Sequence, residues 1–93
     1  MINWKESARE DVLEIYSYFL SVSFALADNW SDELEKKLKL IEQFPGMGRI
    51  VPDYDVSFIR EVFVSSYRLV YSTQEDVLKV LAVRPMGRPL GKL

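Results

Sequence analysis

Six cationic side chains in the second half of the chain have the types and spacing to handle anions: Arg49, Arg60 and Arg68 in one stretch, then Arg84, Arg88 and Lys92 near the C-terminus. Guanidinium forks bind phosphates bidentately, so Arg60, Arg68 and Arg88 gathered on an open sheet face would form an anion-binding surface. Paired instead with Glu61, Asp53, Asp55 or the acids of the N-terminal half, the same arginines would be a solvated or structural set. Spacing alone does not separate these readings. The chain has no histidine and no cysteine, which removes the usual acid/base and the soft metal ligands. Asp53 and Asp55 are the nearest thing to a carboxylate pair, and acids in a turn cap backbone far more often than they bind metal. No metal and no cofactor is expected.

The net charge of −2 conceals a split: residues 1–45 carry nine acidic and five basic side chains, net −4, and residues 46–93 carry five acidic and seven basic, net +2. Arg84, Arg88 and Lys92 lie in a tail free of acids. A nucleic-acid contact is therefore limited to a local patch. With 93 residues and 48% hydrophobic content, the chain is sized for one domain, 1–93, that buries roughly 60–65% of its unfolded surface. It has no signal-peptide pattern and no apolar run near the roughly 20 residues that span a bilayer; a cytoplasmic protein without membrane contact is expected.

Elements that would position these residues follow from periodicity. Ser7-x-x-Glu10 has the form of a capping box, and Ala8, Val12, Ile15, Tyr16 and Phe19 then recur on one helical face, ending near Leu20 to Val22. A second stripe runs through Leu26 or Ala27, Trp30, Leu34, Leu38, Ile41 and Phe44 until Pro45-Gly46 stops it, the glycine taking the left-handed conformation common past a helix end. Two such helices with a short linker make an antiparallel hairpin. Residues 47–57 are turn-rich. Beyond them Ile59 to Val64, Tyr67 to Thr73 and Val77 to Val83 are rich in β-formers, with Ser65-Ser66 and Gln74-Glu75-Asp76 short enough for hairpins. Ile2-Asn3-Trp4 adds a candidate edge strand. The predicted fold is α+β, in the order β-α-α-β-β-β: an antiparallel two-helix hairpin on one face of a small, predominantly antiparallel sheet. Alternation puts Tyr67, Leu69 and Tyr71 towards the helices and Arg68 on the other face, expected to be open. Tyr67, Tyr71 and Trp4 are read as core or rim aromatics more readily than as base-stacking platforms. The sequon Asn29-Trp30-Ser31 falls inside the second helix, and Gly46-x-Gly48 lacks the strand and helix of a phosphate loop.

Pro45-Gly46-Met47-Gly48-Arg49 closing a helical pattern, followed by Ile59-Arg60-Glu61 and Tyr67-Arg68-Leu69-Val70-Tyr71, then Val80 to Val83 before Arg88, resembles the RelE/ParE superfamily of bacterial toxins over nearly the whole chain. The resemblance implies a toxin of a type II toxin-antitoxin system held silent by a cognate antitoxin, a small protein whose DNA-binding region would link the complex to operator DNA only indirectly. Phe19, Phe24, Trp30 and Phe58 are the apolar residues that would meet the antitoxin, or else complete a small core.

Two activities occur among such toxins: ribosome-dependent cleavage of mRNA through its 2′-hydroxyl, and inhibition of DNA gyrase that blocks replication. RNA cleavage requires a proton acceptor, a proton donor and cations around the transition state; the resemblance assigns Arg60, Arg68 and Arg88 to it. Val62 stands where a second basic residue is usual and Pro85 where many relatives carry histidine, with no tyrosine after it. The long hairpin and the Pro-Gly-x-Gly-Arg connection look more ParE-like than RelE-like. The gyrase-directed activity is thus favoured, with Arg68, Arg84, Arg88 and Lys92 as target-binding residues; a non-toxic relative that only binds antitoxin is the third reading.

Overall fold

Helical and strand periods change where Pro45 interrupts the chain, and the computed structural model, which describes residues 1–93, divides there too. Strand β1 (Asn3–Trp4) precedes helices α1 (Glu6–Val22) and α2 (Phe24–Gln43); β2 (Arg49–Ile50), β3 (Ile59–Val64), β4 (Tyr67–Ser72) and β5 (Lys79–Pro85) follow. The strands form one sheet in the order β1-β5-β4-β3-β2, antiparallel except for β1, which runs parallel to β5. The α+β class and the helical hairpin on a mostly antiparallel sheet are as the sequence predicts, with β2 an addition inside the turn-rich stretch. No helix is long and apolar enough to cross a membrane.

Ser23 alone joins the helices. Its extended backbone (φ −165°) ends α1, with its amide donating to the Phe19 carbonyl, while its hydroxyl accepts from the Leu26 amide and caps α2. The expected capping box at Ser7 does not form: α1 starts two residues earlier, behind Lys5 in place of Ser7, with no side-chain cap. At the far end of α2, Pro45 opens a 3-10 turn, Pro45–Met47, and Gly46 is not left-handed; positive φ among the glycines belongs to Gly87 and Gly91.

Gly48 is required for a different reason. A Cβ there would lie 2.6 Å from Tyr71 Oη and 2.7 Å from the Glu61 carbonyl oxygen, far inside van der Waals contact. The fully buried Tyr71 uses that closeness: its hydroxyl accepts from the Gly48 amide (3.0 Å) and donates to the Pro45 carbonyl (2.7 Å). The helix-to-sheet connection is thereby tied to β4 near its C-terminal end. Burial pushes the Tyr71 hydroxyl above its ordinary pKa, against the Gly48 hydrogen bond and the nearby Arg60 charge.

Apolar packing occupies both faces of the sheet. On the helical face Ala8, Ile15, Trp30, Leu34 and Ile41 meet Val62, Val64, Leu69, Tyr71, Val80 and Val83. On the other face a smaller cluster joins Val70 and Ala82 to Val51 and Leu90, with Tyr54, Ile59, Leu81 and Leu93 against it. One extra residue on β5 accommodates this: Tyr71 pairs with Val80 but Val70 with Ala82, leaving Leu81 as a bulge that turns it towards the second cluster. The face expected to be open is therefore covered, by the chain after β2 and by the C-terminal tail.

Candidate functional site

Alternation places Arg60 and Arg68 on opposite faces. Arg60 pairs across from Tyr71, and its Nη1 donates to the Gly48 carbonyl at 2.9 Å and more loosely to that of Gly46 at 3.4 Å. Its head thus secures the chain leaving α2. Arg68 lies on the face away from the helices, as alternation predicts, but is only 8% exposed there. Its Nε donates to Glu61 Oε1 (2.6 Å) and its Nη2 to Asp53 Oδ1 (2.9 Å). Glu61, 1% exposed, accepts from Arg49 Nε through its second oxygen at 2.6 Å, and the Arg49 guanidinium sits 5.3 Å above the Phe63 ring. The hydrogen bond to Glu61, then the one to Asp53, hold the Arg68 guanidinium above even its ordinary pKa, against desolvation. The expected anion-binding face of Arg60, Arg68 and Arg88 therefore does not assemble. Arg68 is an internal ion pair, because a carboxylate-lined turn and the C-terminal tail lie over it.

Two other predicted cations do come together. At the edge of the sheet β1 covers only Lys79 and Val80 of β5, leaving the rest of that edge to other groups. Asp11 of α1 fills part of it: its Oδ2 accepts from the Val83 amide (3.0 Å) and from Arg84 Nε (3.2 Å). Pro85 next to it has no amide to leave unpaired, the usual reason proline is tolerated on an edge strand. Between this edge and α1 runs a groove of about 610 Å³ lined by Glu14, Tyr18, Tyr67, Arg84 and Arg88 among others. Arg88 is exposed and its guanidinium makes no ion pair, while Tyr18 is 60% exposed. Lys92 is exposed on the tail beyond, outside the groove. The groove offers guanidinium and phenol donors beside carboxylates, a polar recognition surface with no imidazole to move protons near neutral pH.

The four predicted apolar contacts separate as well. Trp30 is buried and Phe19 half-buried, packed edge-on with Tyr67 at ring separations of 5.8–6.0 Å; the buried indole N–H of Trp30 has no acceptor, so packing alone sets its place. Phe58 is half-buried. Phe24, at 70% exposure, stands at the hairpin tip with Leu20, Val22 and Leu26, all exposed. Sequence periodicity overlooked Leu20 and Val22 as a surface and left Leu26 as an alternative to Ala27 in the second core stripe; Ala27 is the buried one.

The sequence pattern of the ParE toxins of type II toxin-antitoxin systems, parDE, matches residues 2–90. The chain belongs to the ParE toxin family. Solved structures agree in fold. The chromosomal ParDE TA system from P. aeruginosa superposes with a TM-score of 0.69 at 16% identity, over 90% of this chain and 92% of that one. The YoeB dimer from Staphylococcus aureus gives 0.62 at 18% identity, over 89% and 92%. No curated protein sequence matches the chain. The resemblance to the RelE/ParE superfamily read from the sequence thus holds, and the protein is a toxin of a type II toxin-antitoxin system.

Proposed function

We propose that this ParE-family toxin acts by binding and inhibiting DNA gyrase, with Arg84, Arg88 and the groove beside β5 in the contact, and that a cognate antitoxin neutralises it. The observation that carries the choice against mRNA cleavage is the engagement of Arg60 and Arg68. Transition-state stabilisation needs cations aimed at one point where charge develops, whereas these two heads lie on opposite faces and are occupied by backbone carbonyls and carboxylates. Binding a protein surface needs no such convergence. Exposed guanidinium and phenol groups around a groove are the residue types enriched in interface hot spots.

Membership of the family supports an antitoxin partner. The exposed apolar side chains Leu20, Val22, Phe24 and Leu26 around the hairpin tip are the surface proposed for it, since apolar exposure concentrated at one end of so small a protein marks an interaction site. The net −4 of residues 1–45 favours a partner segment with basic residues beside its apolar ones. Induced expression alone should arrest growth, and coexpression with the adjacent small open reading frame should restore it. Equal growth in both conditions would contradict the reading.

A further inference from the structure

The tail after β5 is fastened at two places with three residues between them. At its start the Met86 amide donates to the Ser66 carbonyl (2.9 Å), closing against the β3–β4 turn. Gly87, at φ +83°, then redirects the chain. At the second place Leu90, 3% exposed, enters the cluster of Val51, Val70 and Ala82; its amide donates to Asp53 Oδ2 (3.3 Å), and the Tyr54 hydroxyl donates to the Gly91 carbonyl (2.5 Å). Gly87, Arg88 and Pro89 are bracketed, and proline fixes one more dihedral inside the bracket. Arg88 is thus held by its backbone while its head stays free.

Asp53 is the joint of this arrangement. One carboxylate oxygen binds Arg68, which Glu61 orients from the other side, and the second oxygen binds the tail. A relay runs from Arg49 through Glu61, Arg68 and Asp53 to the Leu90 amide. The buried Arg68–Glu61 pair, costly in itself, fixes the guanidinium that holds the Asp53 carboxylate, and that carboxylate captures the strap. Holding a recognition residue in one backbone conformation before binding lowers the ordering cost that association must meet.

We infer that residues 52–55 form a clasp for the C-terminal strap, and that Asp53 and Tyr54 are positioning residues that hold Arg88 at the mouth of the groove for the toxin's target. The second half of this inference rests on the reading that Arg88 contacts that target, whichever target it is.

The test combines amide hydrogen exchange on the purified full chain with growth arrest at matched expression, for Asp53→Ala, Tyr54→Phe and Arg88→Ala. Tyr54→Phe leaves the Asp53–Arg68 pair intact, so it reports even if Asp53→Ala folds poorly. In Tyr54→Phe the Leu90 amide should exchange roughly tenfold faster while the Leu69 amide in the sheet does not change, and growth arrest should be partly lost. Arg88→Ala should lose arrest with Leu90 protection intact. Unchanged Leu90 exchange in both clasp variants would overturn the clasp. Freed Leu90 with full arrest, when Arg88→Ala has lost it, would overturn the positioning. Full arrest by Arg88→Ala would instead sink the target reading and the positioning of Arg88 with it, leaving the exchange data to decide the clasp alone.

Discussion

Arg68 and Glu61 meet on neighbouring strands with Nε 2.6 Å from Oε1, both nearly inaccessible to water. A guanidinium placed on the side of the sheet away from the helices is therefore neither open nor available. Its charge is neutralised on one side by β3 and on the other by Asp53 from the chain after β2.

Arg68→Ala should destabilise the fold by up to about 3–5 kcal/mol, the usual cost of breaking a buried pair from one side. Glu61 would keep only the half-exposed Arg49, on its other oxygen. Urea unfolding of Arg68→Ala beside the double variant Arg68→Leu, Glu61→Leu checks this: the double variant should lose less than the single. A single variant as stable as wild type would contradict the buried-pair assignment.

Gly48→Ala should cost at least about 1–3 kcal/mol, because one of the atoms its methyl group meets is the backbone oxygen of Glu61, which cannot rotate away. Tyr71→Phe should cost about 1–3 kcal/mol by leaving the Gly48 amide without its acceptor. The two losses should not add, since both break the same contact. Thermal melts of the two single variants and the pair measure the shortfall.

Stability should decline at both pH extremes for separate reasons. Asp53 is held below the ordinary carboxylate value of 3.8, first by Arg68 and then by the Leu90 amide; a depressed folded value means its contribution is present above 3.8 and fades as pH falls through the folded pKa. Tyr71 is raised above 10.0 by burial, so its contribution is intact below 10 and fades as pH rises through the folded value. Melting temperature against pH should show an acid limb reduced in Asp53→Asn and an alkaline limb reduced in Tyr71→Phe.

Phe24→Ser with Leu26→Ser should leave the melting temperature within a degree or two of wild type, since both side chains are exposed at the hairpin tip. Antitoxin coexpression should then rescue growth poorly. Full rescue would remove the tip from the antitoxin contact.

The hairpin and the strands Ile59–Val64 and Tyr67–Ser72 were legible because long stripes at periods 3.6 and 2 survive any tertiary context. Alternation also placed Arg68 on its face correctly. What covers that face was not legible: Val51 and Leu90 sit in stretches with too few apolar neighbours to show a period, and their partners Val70 and Ala82 are set against them by a bulge at Leu81 that no local pattern announces. The glycine at 48 looked like punctuation, whereas its need arises from Tyr71, 23 residues away. Arg84 and Arg88 were picked out as tail cations, but the groove joining them exists only because α1 lies along the edge that two-residue β1 leaves uncovered.

Gyrase supercoiling by the purified enzyme, titrated with this toxin in parallel with mRNA cleavage on programmed ribosomes, tests the central claim most directly. The account predicts loss of supercoiling or accumulation of linear DNA, weakened in Arg84→Ala, Arg88→Ala, with mRNA left intact. Cleaved mRNA on ribosomes and undisturbed supercoiling would contradict it.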